Sequence, residues 1–138
     1  MTWQHYALAS SFFAALTSLF GKQGLQQLNS NFATLIRVAV ILSWTVGLVF
    51  WRREWQWQQL DRHSLMLLIL SGLSTAFSWL CYYRALQLGE VGQVALLDKM
   101  SVVLTVLLGV LFLSEPLTPR VCLATMLIFS GCLLMLKG

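Results

Sequence analysis

Long apolar runs alternate with short polar breaks along the whole chain. The runs cover residues 6–24, 32–50, 64–88, 92–113 and 119–136. Each reaches or approaches the ~20 residues that a helix needs to cross ~30 Å of hydrocarbon. No strand-like alternation of apolar and polar positions interrupts them. The pattern predicts an all-α membrane protein, a bundle of five transmembrane helices in one domain over residues 1–138. The breaks carry helix-end chemistry. Ser30 or Asn31 is suited to cap the second span, Gly89-Glu90-Val91-Gly92 reads as a tight turn, and Pro119 stands at a helix-start position. Trp51, Trp55 and Trp57 flank Arg52, Arg53 and Glu54, the mixture of apolar rings and polar tips found at headgroup level.

Composition sharpens this picture. The 138 residues are 58% hydrophobic and 10% charged, where a soluble domain carries roughly 25% charged residues. So short a soluble fold could not bury that much apolar surface. Mean hydropathy is +0.75. The net charge of +4 comes from dispersed basic residues that mostly border apolar runs. They read as membrane-surface anchors and topology signals, not as a nucleic-acid footprint. Cys81, Cys122 and Cys132 all lie in apolar runs without CxxC or Cys/His spacing, which argues against a disulfide framework, a metal site or another cofactor. The first run has no basic segment before it and no small-residue cleavage site, so it reads as a span rather than a signal peptide.

Five spans put the two ends of the chain on opposite sides of the membrane. With the N-terminus inside, Arg52, Arg53, Arg62 and Arg120 lie inside, and Lys22, Arg84 and Lys137 outside. Four against three is a small bias, which favours N-in and permits insertion both ways. An odd span count also means that two copies in tandem would point opposite ways, as in inverted-repeat transporters. A lone five-span chain achieves that arrangement only with an oppositely inserted partner.

Four stretches carry a family likeness. They are Ser30-Asn31-Phe32-Ala33-Thr34-Leu35-Ile36-Arg37, residues 72–86 (GLSTAFSWLCYYRAL), residues 94–103 (VALLDKMSVV) and residues 109–118 (GVLFLSEPLT). Together they resemble the EamA domain of the drug/metabolite transporter superfamily, and its single-domain five-span bacterial and archaeal branch in particular. The resemblance implies a secondary transporter, an exporter or exchanger of small organic metabolites or drugs across a prokaryotic inner membrane by alternating access. It also implies half of an inverted-repeat assembly, completed by an antiparallel second copy or an oppositely oriented paralogue. Related four-span exporters couple to protons through a glutamate in their first span. This chain has no acid there.

Ionisable residues inside a span are costly, roughly 2.5–3.5 kcal/mol on insertion scales, and mark pathways or partners. Arg37, Asp98 and Lys99 qualify. Arg37 lies four residues from the centre of the second span and Asp98 four from the centre of the fourth, about 6 Å in each case. Matching depths make an Arg37–Asp98 pair the first expectation: a permanent lock between helices, or a site where Asp98 exchanges a proton and Arg37 and Lys99 receive an anionic group. Helical spacing adds Trp44 on the Arg37 face, Thr75, Trp79 and Tyr82 with neighbouring Tyr83 on the third span, and Ser101 on the Asp98 face. Converging, these faces would form an aromatic box with a few polar groups; singly, the aromatics would be packing bulk. Ala7, Ser11 and Ala15, Gly72 with Ala76, and Gly131 are placed for close helix approach. No phosphate loop, metal cluster or nucleophile set suggests an enzyme. The expected partners are a small-molecule cargo and the lipid bilayer. A lipid-linked cargo flippase and a non-transporting membrane subunit acting by helix pairing are the alternatives.

Overall fold

The computed structural model describes residues 2–136. Lys137, expected among the outer basic residues, lies outside them. Among the described residues the secondary structure is helical: α1 (Trp3–Gly24), α2 (Ser30–Arg52), a short 3₁₀ turn (Trp57–Gln59), α3 (Arg62–Leu88), α4 (Val91–Asp98), α5 (Met100–Leu113) and α6 (Pro119–Leu136). The chain is an all-α membrane protein. By length and composition, α2, α3, the α4–α5 stretch and α6 are each apolar enough to cross a bilayer. At 22 residues α1 is long enough too, but Gln4, His5, Lys22 and Gln23 at its ends dilute its hydropathy.

The chain folds as two compact units, Met1–Leu88 and Gly89–Gly138. In the first, α3 packs against both α1 and α2; in the second, α6 packs against both α4 and α5. Few side chains are buried. Leu86 is fully enclosed, with Leu25, Tyr83, Val103 and Cys132 nearly so, while most large apolar residues point outward. Lipid is the solvent such surfaces require, because a bilayer offers no hydrophobic gain for hiding them.

Local chemistry explains the helix ends. Asn29 caps α2, its side chain accepting from the Asn31 N–H. The expected caps, Ser30 and Asn31, lie one and two residues too late, since Ser30 is already helical. Arg53 closes α2 in the left-handed region at φ 55°. Beyond it Trp55 meets Phe50 edge-on at 4.8 Å and stacks on Trp57 at 5.9 Å. Asp61 caps α3, accepting from the His63 and Ser64 N–H groups. Hydrogen bonding from the Ser64 side chain, and then from these backbone N–H groups, holds its carboxyl below the usual range. Thr118 caps α6 through the Val121 N–H, with Pro119 in the first helical position.

The fourth run, expected as one helix over residues 92–113, is broken at Lys99. Lys99 has ψ −11°, and its N–H reaches back three residues to the Leu96 carbonyl, while the Val102 N–H reaches back three to Lys99. The Cys132 thiol on α6 donates to the same Leu96 carbonyl at 3.3 Å. A side chain entering the backbone ladder is a recognised cause of helix breaks, and a mid-helix 3₁₀ step often marks a hinge.

The tightest surroundings of helical glycines lie at two positions other than those expected. A Cβ on Gly21 would lie 3.2 Å from the Tyr83 hydroxyl and 3.7 Å from Leu86. One on Gly109 would lie 2.8 Å from a Glu115 carboxylate oxygen, which folds back over it. At Gly72 and Gly131 a Cβ would meet nothing within 4 Å. Ala7, Ser11 and Ala15 are exposed.

Candidate functional site

The first unit assembles around the C-terminal half of α3. The Tyr82 hydroxyl donates to Ser18 on α1 at 2.7 Å, and Ser18 in turn donates to the Ala14 carbonyl at 3.0 Å. One turn on, Lys22 donates to the Leu86 carbonyl at 2.6 Å. That carbonyl belongs to the last turn of α3, which lacks intrahelical partners and favours a cation. Gln87 donates to the Leu28 carbonyl at 2.7 Å and accepts from Arg84 at 3.0 Å. Lys22 and Arg84, expected as topology signals, therefore also fasten α1 and the α1–α2 loop to α3.

That frame fixes the aromatic pair beside Arg37. Its guanidinium carbon lies 4.2 Å from the centre of the Trp79 ring and 5.3 Å from that of Tyr83. Tyr82 and Tyr83 meet at 6.5 Å. A guanidinium over a ring face gains about 0.5–1 kcal/mol in water and about 2 when desolvated. Set against roughly 2.5–3.5 kcal/mol for an arginine within a span, the rings offset much of the cost and supply no countercharge. In the first unit Glu54 lies 3.9 Å from Arg52, and Asp61 is the cap of α3. Neither acid pairs with Arg37.

Arg37 also borders a cavity of about 360 Å³ that opens at the surface. Its walls include Thr17, Gly21 and Gly24 of α1, Ile36 of α2 and Tyr83 of α3. They are predominantly apolar, and among the described residues the guanidinium is the one charge on them. A volume of this size suits a small organic ligand.

Of the sequence candidates, Arg37, Trp79, Tyr83 and Tyr82 come together in this unit. Thr75 turns its hydroxyl onto the Ser71 carbonyl of its own helix. Trp44 is exposed on α2. In the second unit Asp98 and Lys99 flank the helix break, 4.0 Å apart and both half exposed. Ser101 is exposed at the start of α5. Thr17, Ser18, Gly21 and Gly24 were missed. Thr17 and Gly21 stand at small-xxx-small spacing, the signal by which that face was findable.

The sequence matches the model of the EamA-like transporter family over residues 1–137. The chain belongs to that family. An EamA-like chain of this kind is a multi-pass membrane protein and a transporter. It is also similar to a Sinorhizobium sp protein named "Uncharacterized transporter in cobO 3'region", 46% identical over 135 residues, which cover 97% of this chain and 96% of that one. No solved structure matches the chain.

Proposed function

We propose that this EamA-like chain is a secondary transporter, an exporter or exchanger of small organic molecules across a prokaryotic inner membrane, and that its cargo contacts the Arg37–Trp79–Tyr83 cluster. The observation that carries the reading is an in-span cation held on two ring faces at the edge of a cavity of about 360 Å³. A purely structural arginine has no need of an adjoining cavity. Alternating access by rocking of inverted repeats calls for an oppositely inserted second half. The Sinorhizobium relative, matched over 96% of its length, has the length of one repeat. An antiparallel second copy, or an oppositely inserted paralogue, fills that role, with the N-terminus inside in one copy. Asp98, at the Lys99 break, is the proton-exchanging group.

Purified protein in liposomes tests this. Accumulated cargo should drive counterflow, and an imposed proton gradient should drive uptake. Flux equal to that of empty liposomes across a metabolite panel would sink the transporter reading in favour of a helix-pairing subunit. Orientation is read by a single Gly138→Cys reporter, placed outside the described residues. Cys81 and Cys122 are replaced by Ala and Cys132 by Ser, which keeps a donor to Leu96. Labelling from both faces supports dual insertion, and labelling from the outer face alone removes the homodimer.

A further inference from the structure

We infer that the groove beside Arg37 is selective for charge: it seats a small organic monoanion with an apolar body. The acidic group lies on the Arg37 guanidinium, and the body lies along Phe20, Ile36 and the Gly21–Gly24 face. The inference deepens the transporter reading and rests on it for the occupant being cargo.

Four observations converge. Arg37 is the one charged side chain among the described residues of the walls. Its cation rests on ring faces, which attract it without neutralising it. Both acids of the first unit are engaged elsewhere, Glu54 beside Arg52 and Asp61 as the cap of α3. Finally, the α1 wall is open at Gly24, where an added Cβ would meet nothing within 4 Å, so an apolar body has room next to the cation. A planar guanidinium binds a carboxylate or sulfonate through two parallel hydrogen bonds. In an apolar setting such a pair is favoured over leaving the charge alone. A neutral ligand of the same shape gains only the apolar contacts. An ammonium adds repulsion.

Three probes of one shape separate these cases: 2-naphthoate, 2-naphthamide and 2-naphthylmethylammonium. Binding is measured to the full chain in lipid nanodiscs, with partition into empty nanodiscs subtracted. Wild type should hold the naphthoate at least tenfold tighter than the amide, and the ammonium weakest. Arg37→Gln should bring naphthoate down to the level of the amide, and Arg37→Lys should fall between. Should Arg37→Gln fail to fold, Gly24→Leu is an independent check. Its Cβ enters open space, and the leucine side chain should occupy the groove and weaken naphthoate and amide alike, by tenfold or more. Equal binding of naphthoate and amide by wild type overturns the inference. So does a naphthoate preference that survives Arg37→Gln, or unimpaired binding in Gly24→Leu. An Asp98→Asn variant that binds naphthoate tenfold tighter than wild type would mean that Asp98 already neutralises Arg37, and that also overturns it. The transporter reading fails separately: naphthoate held as expected with no flux in liposomes leaves the site and removes the cargo. Flux that ignores cargo charge removes the site and leaves the transporter.

Discussion

Replacing Gly21 tests whether α1 rests on α3 as described. A Cβ there would lie 3.2 Å from the Tyr83 hydroxyl oxygen and 3.4 Å from its ring, inside the roughly 3.5–4.0 Å of relaxed contact. Gly21→Ala asks Tyr83 to move by a few tenths of an ångström. Against that stands the ~0.5–1 kcal/mol gained by removing glycine from a helix, so the net change stays within about 1 kcal/mol. Gly21→Leu adds three further carbons against Tyr83, 5% exposed, and Leu86, fully buried. Overpacking of that kind costs about 1–3 kcal/mol. Reversible unfolding in mixed micelles reads the difference. The decisive arm is a double-mutant cycle with Tyr83→Ala, which vacates the volume that the introduced leucine needs and should recover about 1 kcal/mol or more as coupling. If Gly21→Leu is as stable as Gly21→Ala, with no coupling to Tyr83, the helices do not meet at this residue.

The remaining expectations follow from single contacts. Asp98→Asn should abolish proton-driven accumulation in liposomes while leaving counterflow; a variant that still accumulates cargo makes Asp98 structural. Tyr82→Phe removes one interhelical hydrogen bond but leaves Ser18 bonded to Ala14, so the loss should be near the ~0.6 kcal/mol average for such bonds in membranes, and a loss several times larger refutes that account. Asp61→Ala should destabilise the protein at neutral pH. The carboxyl of Asp61 is depressed in the folded state, so its contribution is present above the ordinary carboxylate range and lost as pH falls through the depressed value; the gap from wild type, followed by thermal unfolding, should close in acid. Ser114 ends α5 at φ 54°, where glycine is unstrained, so Ser114→Gly should stabilise by about 1 kcal/mol in the same unfolding assay.

Much of the fold was legible because hydrophobic length is a direct requirement of the bilayer. Residues 32–50, 64–88 and 119–136 read as spans, and α2, α3 and α6 contain them. The Lys99 break was not legible. A thiol on α6 meets a backbone carbonyl of α4 there, a contact between elements that the pattern does not reveal, and no residue near 99 is a proline or glycine that would announce the break. The cap of α2 was misplaced by one or two residues, since Asn29, Ser30 and Asn31 are all capable and only backbone geometry selects among them. Within the site, Trp79 and Tyr82 were found by helical spacing from Thr75, and Tyr83 as the neighbour of Tyr82. The α1 wall was overlooked for another reason: Ala7, Ser11 and Ala15 gave a cleaner small-residue stripe than Thr17 and Gly21, and spacing alone cannot say which stripe meets a neighbour.

The two proposals constrain each other through charge. If Arg37 receives a monoanion and Asp98 takes one proton per cycle, each turnover that carries both together moves no net charge. Moving one elementary charge across 100 mV is worth about 2.3 kcal/mol, so a carrier that moved the anion alone would respond to membrane potential by nearly two orders of magnitude in its cargo gradient. The coupled carrier would not. Holding the potential with potassium and valinomycin, while keeping the proton gradient fixed, separates the cases. An accumulation ratio that is flat with potential is the expected result. A ratio that shifts tenfold for every 60 mV or so, the amount equivalent to about 1.4 kcal/mol per charge, would mean that the anion moves without a proton. Asp98 would then be an ion-pair partner at a helix break rather than the coupling group, and Arg37 alone would remain as the residue that handles charge.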